Sequence, residues 1–233
     1  MSAADGAAEL AITERQQAQI TGYNTGTKNL SSGIDLLNTS DAALGSITDS
    51  LQRMRELALR ASNTVTVNAT GRADIQKEID QLKQNIEHIA TQTRYNGFSL
   101  LDGSQQNGVP LVSDADGGSL TINQSVNSTL QALGIADFDV TKGFDIRTID
   151  SALEKVAGSR SSLGAQSNAL EHAINYNDYA STNLTASKSR MADSDIAKLV
   201  MELKHQQTLQ NCNFMLQKRK MQQEGNKTLP FLL

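Results

Sequence analysis

Apolar residues recur every seven positions between Leu37 and Ala61 of this chain. Leu37, Leu44, Leu51 and Ala58 lie seven apart, and Ile47, Met54 and Ala61 each follow three residues after a member of that row. On a helix this spacing draws one continuous seam, which can be buried only against the side of another helix. Arg53, Arg55, Glu56 and Arg60 fall off the seam and face water or a partner. A chain organised on seams rather than around a pocket is built to pack against something.

Composition points the same way. Aromatic residues make up 4% of the 233 positions, with no Trp and two Pro. A compact enzyme of this size draws much of its buried area from bulky rings. Leu, Ile and Ala suit narrow helix–helix contacts instead, so the sequence predicts a rod rather than a ball. A formal net charge of −4 gives no reason to expect nucleic acid as a partner. The single Cys212 excludes an internal disulfide framework and any zinc site built on several thiolates. No apolar run reaches the roughly 20 residues a bilayer span needs, so no membrane insertion is expected. The opening Met1-Ser-Ala-Ala-Asp5 has neither a basic nor an apolar leader region, and no ordinary secretory signal is expected there.

The spacing predicts helix from about Ala3 to Ser62, weakened by Gly6, Gly22, Gly26 and Gly33 at roughly 1 kcal/mol each against Ala. Thr64 to Gly71 reads as a break, and a second helix follows from Arg72 to about Thr93. Its seam is Ile75, Ile79, Leu82, Ile86 and Ile89, and the short break folds it back antiparallel on the first. After Tyr95-Asn96-Gly97, turn clusters alternate with β-prone pieces such as Ser119-Leu-Thr-Ile-Asn123, which predicts one or two small hairpins. Helix resumes near Asp145. Ile149, Leu153, Val156, Leu163, Leu170, Ile174, Leu184 and Met191 share one seven-residue grid, with Asn177 and other polar residues in its remaining slots. Polar seam residues lower stability but fix register. The predicted class is mainly α: an elongated antiparallel bundle of long coiled-coil-like helices with a small β-hairpin insert. Its expected divisions are rod helices over 1–97, the insert over 98–143, a long helix over 144–203, and a terminal segment over 204–233.

Catalytic patterns are thin. His88, His172 and His205 are scattered, and none belongs to a metal-binding helix motif. Cys212 lies seven residues after His205 on one helical face, so a thiol enzyme is the rival from a different class. Asp114-Ala-Asp-Gly117 reads as a turn, because the twelfth position of a calcium loop would be Ser125 rather than Glu. No cofactor or metal is expected. Lys198, Lys204, Lys218, Arg219, Lys220 and Lys227 make the tail basic, and a basic amphipathic helix can bind a membrane surface or a partner groove.

Seven segments resemble bacterial flagellin, in the right order from Ser2 to Lys198. They are Ser2-Ala-Ala-Asp-Gly-Ala-Ala-Glu-Leu-Ala-Ile12, Leu51-Gln-Arg-Met-Arg-Glu-Leu57, Ile75-Gln-Lys-Glu-Ile79, Gln92-Thr-Arg-Tyr-Asn-Gly-Phe98, Leu170-Glu-His-Ala-Ile-Asn175, Asn183-Leu-Thr-Ala-Ser-Lys-Ser-Arg190 and Asp195-Ile-Ala-Lys198. The resemblance implies a structural subunit of the motility filament that associates with other flagellin subunits. It implies export by the flagellar type III apparatus to the extracellular flagellum, with an export chaperone on the carboxy-terminal region, which is disordered in the monomer. It further implies recognition by Toll-like receptor 5 through Arg53, Glu56, Leu57 and Glu78, with Leu57 expected as an exposed apolar contact. A hook–filament junction protein is the related alternative, since it shares the helical ends.

Departures from the family pattern carry expectations of their own. The helical segment that precedes Ser-Ala-Ala-Asp in the family is missing, as are its outer variable domains. The stretch around Cys212 to Lys220 is atypical, although Leu229-Pro-Phe-Leu-Leu233 keeps the usual ending. On those grounds the chain is expected to polymerise poorly alone, with a protease-sensitive tail.

Overall fold

The computed structural model describes residues 7–105, 107–123 and 126–228. The opening before Ala7 and the Leu229–Leu233 close therefore lie outside the described residues, as do the side chains of Asp195, Lys198 and Lys227. Among the described residues the order is α1 (Ala7–Ser62), α2 (Ala69–Gln92), β1 (Arg94–Tyr95), β2 (Phe98–Ser99), β3 (Val109–Val112), β4 (Ser119–Ile122), α3 (Leu130–Leu133) and α4 (Arg147–Thr228). The chain divides into two compact units, one of Gln19–Ser181 and one of Met1–Ala18 with Thr182–Leu233.

Within Gln19–Ser181, α1 lies between α2 and α4, antiparallel to both. Ser50 meets Asn85 and Arg53 meets Glu78 on the α2 side, while Arg55 meets Asp150 and Asp41 meets Arg160 on the α4 side. Two-sided contact requires a wider buried face than one seam supplies. Leu37, Leu44, Leu51 and Ala58 are buried, as are Ile47, Met54 and Ala61. A further row, Leu36, Ser50 and Leu57, is buried beside them, with Ala43 partly so. Three rows in seven make the face of a bundle helix rather than the narrower two-row seam of a coiled coil. From α2, Ile75, Ile79 and Ile86 enter this core, with Leu82 and Ile89 partly buried at its margin. From α4, Ile149, Val156, Leu163 and Leu170 are buried, and Leu153 and Ile174 half so. Each fully buried Leu, Ile or Met is worth roughly 1.5–3 kcal/mol against exposure.

Helix α2 begins three residues before its predicted start, because the Asn68 side chain accepts the Gly71 amide at 2.8 Å and caps it. The region between α2 and α4 is richer than hairpins alone. β1 pairs with β2 and β3 with β4, both antiparallel, the first pair turning through Asn96 and Gly97 at positive φ. One further turn of helix, α3, is capped by Thr129 and ended by Gly134 at φ 83°. Leu101, Ile122, Ile135 and Val140 from this region complete the helical core.

In the other unit, Gln16 donates to Ser187 at 3.4 Å and Lys188 to Gln17 at 2.6 Å, tying α1 to α4 by polar contacts. Met191, on the predicted grid, is 38% exposed. Helix α4 continues through the 204–228 stretch.

Candidate functional site

Arg53 sits at the edge of the buried face of α1, opposite α2. Its Nε donates to Glu78 Oε1 at 2.8 Å, its second terminal nitrogen lies 2.7 Å from the same oxygen, and the other reaches Glu56 Oε2 at 3.1 Å. Glu78 and then Glu56 hold the guanidinium more firmly protonated than usual. All three side chains remain about half exposed or more, so the cluster orients charge at the surface and contributes little to folding. It presents a fixed Arg flanked by two carboxylates, each with acceptor capacity to spare for a partner.

Leu57 corrects an expectation. It is 2% exposed rather than an open apolar contact, because it belongs to the third buried row that faces α2. The exposed leucine nearby is Leu59, at 48%.

The glycines of α1 form a second constructed feature, which the sequence marked only as helix-weakening. A Cβ at Gly22 would lie 2.7 Å from Ala115, one at Gly26 would collide with the Ser113 carbonyl, and one at Gly33 with Leu111. The β3–β4 hairpin therefore rests on a track where α1 has no side chains. Buried Asn177 on α4 completes the seat, its Nδ2 donating to Ser113 O at 2.6 Å. Asn29 donates to Val112 O at 3.1 Å, and Gln166 accepts the Asn123 amide at 2.7 Å. No local signal could reveal this track, since its occupant, the hairpin from Val109 to Ile122, lies far away in sequence.

Two lysines missed in the sequence anchor α3 and the turn after it. Lys155 donates to Ala132 O at 2.8 Å, and Lys83 bonds the Ala136 carbonyl. Lys155 thereby meets a carbonyl in the last turn of α3, where cations are favoured, and Lys83 meets one in the turn beyond it.

Cys212 is exposed, on a stretch of α4 whose described side chains from Val200 to Met221 are all exposed. Among the described residues, no group of three or more His, Cys, Asp or Glu could hold a metal, and no helix is long and apolar enough to cross a membrane. A cleft of about 310 Å³ lies between Leu37, Asp41, Arg160 and Leu163. Its charged groups neutralise each other, with Arg160 donating to both Asp41 oxygens at 2.7 and 3.1 Å.

Long helices packed by rows, with charged clusters on their outer faces, define a mainly α helical-bundle protein. Residues 1–106 match the bacterial flagellin N-terminal helical region, and residues 146–224 match the C-terminal helical region. A flagellin of Bacillus subtilis strain 168 is 37% identical, with 86% of this chain and 78% of the relative aligned. Flagellin FlaB1 of Treponema pallidum strain Nichols is 32% identical over 89% and 79% of the two chains. The crystal structure of Bacillus cereus flagellin superposes with a TM-score of 0.55 at 34% identity, over 64% of this chain and 88% of that one. A putative flagellar hook-associated protein of Vibrio parahaemolyticus shares the fold, with a TM-score of 0.64 at 18% identity, over 81% of this chain and 100% of that one. The chain belongs to the bacterial flagellin family, structural subunits of the flagellar filament that assemble with one another. These are not enzymes, and the thiol-enzyme reading of Cys212 ends there. The β3–β4 hairpin and α3 fall between the two matched regions.

Proposed function

We propose that this filament subunit is also read by Toll-like receptor 5, through the surface that Arg53, Glu56 and Glu78 form on α1 and α2. The observation that supports it is the Arg53 cluster itself. Two carboxylates from two helices fix one guanidinium at the surface, which lowers the entropy a partner must remove on binding. Arg is also favoured as an interface anchor. Leu57 is buried and enters this reading only as the packing beneath the cluster.

Export by the flagellar type III apparatus belongs to the same proposal, with an export chaperone engaging the end of α4. Leu203, Leu209, Phe214, Met215, Leu216 and Met221 are each more than 50% exposed there, an apolar surface that a chaperone groove would cover.

Binding isotherms for Arg53→Ala and Glu78→Ala against the receptor ectodomain test the central element. The expected result is at least a tenfold loss for Arg53→Ala, with unchanged circular dichroism. Parental affinity in both variants would remove this face from the receptor reading and leave the filament role standing.

A further inference from the structure

Three of the chain's four tyrosines gather where α1 passes α4. Tyr23 of α1 packs edge-on against Tyr176 of α4, with ring centres 6.3 Å apart and ring planes at 76°. Tyr23 is half-buried, while Tyr176 is 63% exposed and has room to turn about its side-chain bonds. Tyr179 follows about one helical turn later and is 74% exposed.

The pair adjoins the hairpin seat, where Gly22 passes Ala115 and Asn177 holds the Ser113 carbonyl. The hairpin turn brings the carboxylates of Asp116 and Asp114 within electrostatic reach of Tyr23. Burial first, then Tyr176 and those two carboxylates, raise the Tyr23 pKa, so the phenol keeps its proton. The same negative charges favour removal of an electron from the ring, because the product carries no added negative charge.

We infer that Tyr23 and Tyr176 form a site of oxidative modification, at which a peroxidase with hydrogen peroxide joins the two rings as a dityrosine bridge between α1 and α4. Each phenol gives up one electron and its hydroxyl proton and becomes a phenoxyl radical. Hydrogen peroxide takes up both electrons and both protons and leaves as two waters. The radicals couple through ring carbons ortho to oxygen, forming one C–C bond. The hydrogen on each of those carbons then passes to oxygen and restores both phenols. Two ring C–H bonds are thus exchanged for one C–C bond.

A ring already held against its partner makes the coupling step unimolecular, which is the advantage of this pair over scattered tyrosines. The bridge closes nearly all of the Gln19–Ser181 unit into one loop, since Tyr23 lies near its start and Tyr176 near its end. A cross-link of that reach restricts the unfolded chain most, and stabilises the fold accordingly. Cys212, the single cysteine, cannot supply such a link within one chain.

Oxidation of the dilute full-length protein by peroxidase and hydrogen peroxide tests the site, with Cys212 alkylated beforehand so that the thiol does not consume the oxidant. The expected product runs as a monomer on denaturing electrophoresis, is lighter by two hydrogens and shows dityrosine fluorescence. Proteolysis should release a linked peptide pair containing Tyr23 and Tyr176. Tyr23→Phe and Tyr176→Phe should each cut the yield of that product at least tenfold, whereas Tyr179→Phe should keep it. Urea present during oxidation should cut it as much, because the fold makes the pairing. Oxidation should raise the melting temperature of the parent by several degrees relative to identically treated Tyr176→Phe. Circular dichroism on each variant keeps loss of fold separate from loss of the bridge. A bridged monomer that persists in either of those Phe variants or in urea would overturn the inference. So would a parent that gives only linked oligomers, no dityrosine, or a bridge without a gain in melting temperature.

Discussion

Asn177 on α4 donates its side-chain amide to the Ser113 carbonyl at 2.6 Å, through the gap that Gly26 leaves in α1. Three elements far apart in sequence meet at that one bond. Asn177 is 2% exposed, so its amide depends on this bond for a partner. Asn177→Ala strands the Ser113 carbonyl and removes a register-setting contact, which should cost about 1–3 kcal/mol. Thermal or urea unfolding measures the loss, and unchanged stability would show that the bond does not hold the hairpin.

The glycines of α1 should respond in opposite directions to the same substitution. At Gly26 a methyl would run into the backbone of Ser113, whereas at Gly45 nothing lies within 4 Å. Gly45→Ala should therefore stabilise by about 0.4–1 kcal/mol, the usual gain from restricting the unfolded chain. Gly26→Ala gains that same term and loses more to overpacking, typically about 1–3 kcal/mol. Paired melts of the two variants check the sign, and equal shifts would contradict the glycine track.

The same residues show what was legible in the sequence. The rows through Leu44 and Leu51, and through Ile79 and Ile86, could be read because burial repeats with the helix itself. Leu57 could not be placed that way. Its burial depends on α1 having a neighbour on each side, and a single-helix pattern does not count neighbours. Gly26 and Gly33 looked like local weaknesses because their benefit lies in Ser113 and Leu111, on a hairpin whose docking is purely tertiary. Helix α3 escaped because one turn is too short for any period to register. The Arg53–Glu78 pair was within reach once two antiparallel helices were predicted. Arg55–Asp150 and the Lys155 anchor needed the third helix in its actual register, and the Lys83 anchor needed the turn after α3 to be placed against α2.

Acid should loosen the segment between α2 and α4 through two aspartates. Asp139 Oδ1 accepts the Thr141 hydroxyl at 2.6 Å and its amide at 2.8 Å, and Lys142 approaches the other oxygen at 3.2 Å. These bonds, the Thr141 hydroxyl first, hold the Asp139 carboxyl below its ordinary pKa, and the Ser104 hydroxyl does the same for Asp102. A pKa lowered by folding contributes stability above the unfolded value, and that contribution is lost as pH falls through the folded value. Melting temperature should thus be insensitive to these groups near neutrality and fall below the ordinary carboxylate range. Asp139→Asn should lower the melting temperature at neutral pH, and its gap to the parent should shrink in acid. A gap of constant size across the titration would remove Asp139 from this account.

Leu57 and Arg53 should separate folding from recognition. They are four residues apart on α1, yet Leu57 is 2% exposed while Arg53 is half open to solvent. Leu57→Ala leaves a cavity between α1 and α2 and should cost about 2–5 kcal/mol of stability, like other buried leucines. Arg53→Ala should leave the melting temperature nearly unchanged, because the pairs it loses are exposed and Ala is an excellent helix former. Receptor affinity should follow the reverse order. Arg53→Ala is expected to lose at least tenfold, while Leu57→Ala, measured well below its melting temperature, should stay within a few fold of the parent. Melting curves and isotherms on the same two preparations decide the matter. If Leu57→Ala remained fully stable yet lost binding, the leucine would be a direct contact after all, and the division between core and charged surface on this helix would have to be redrawn.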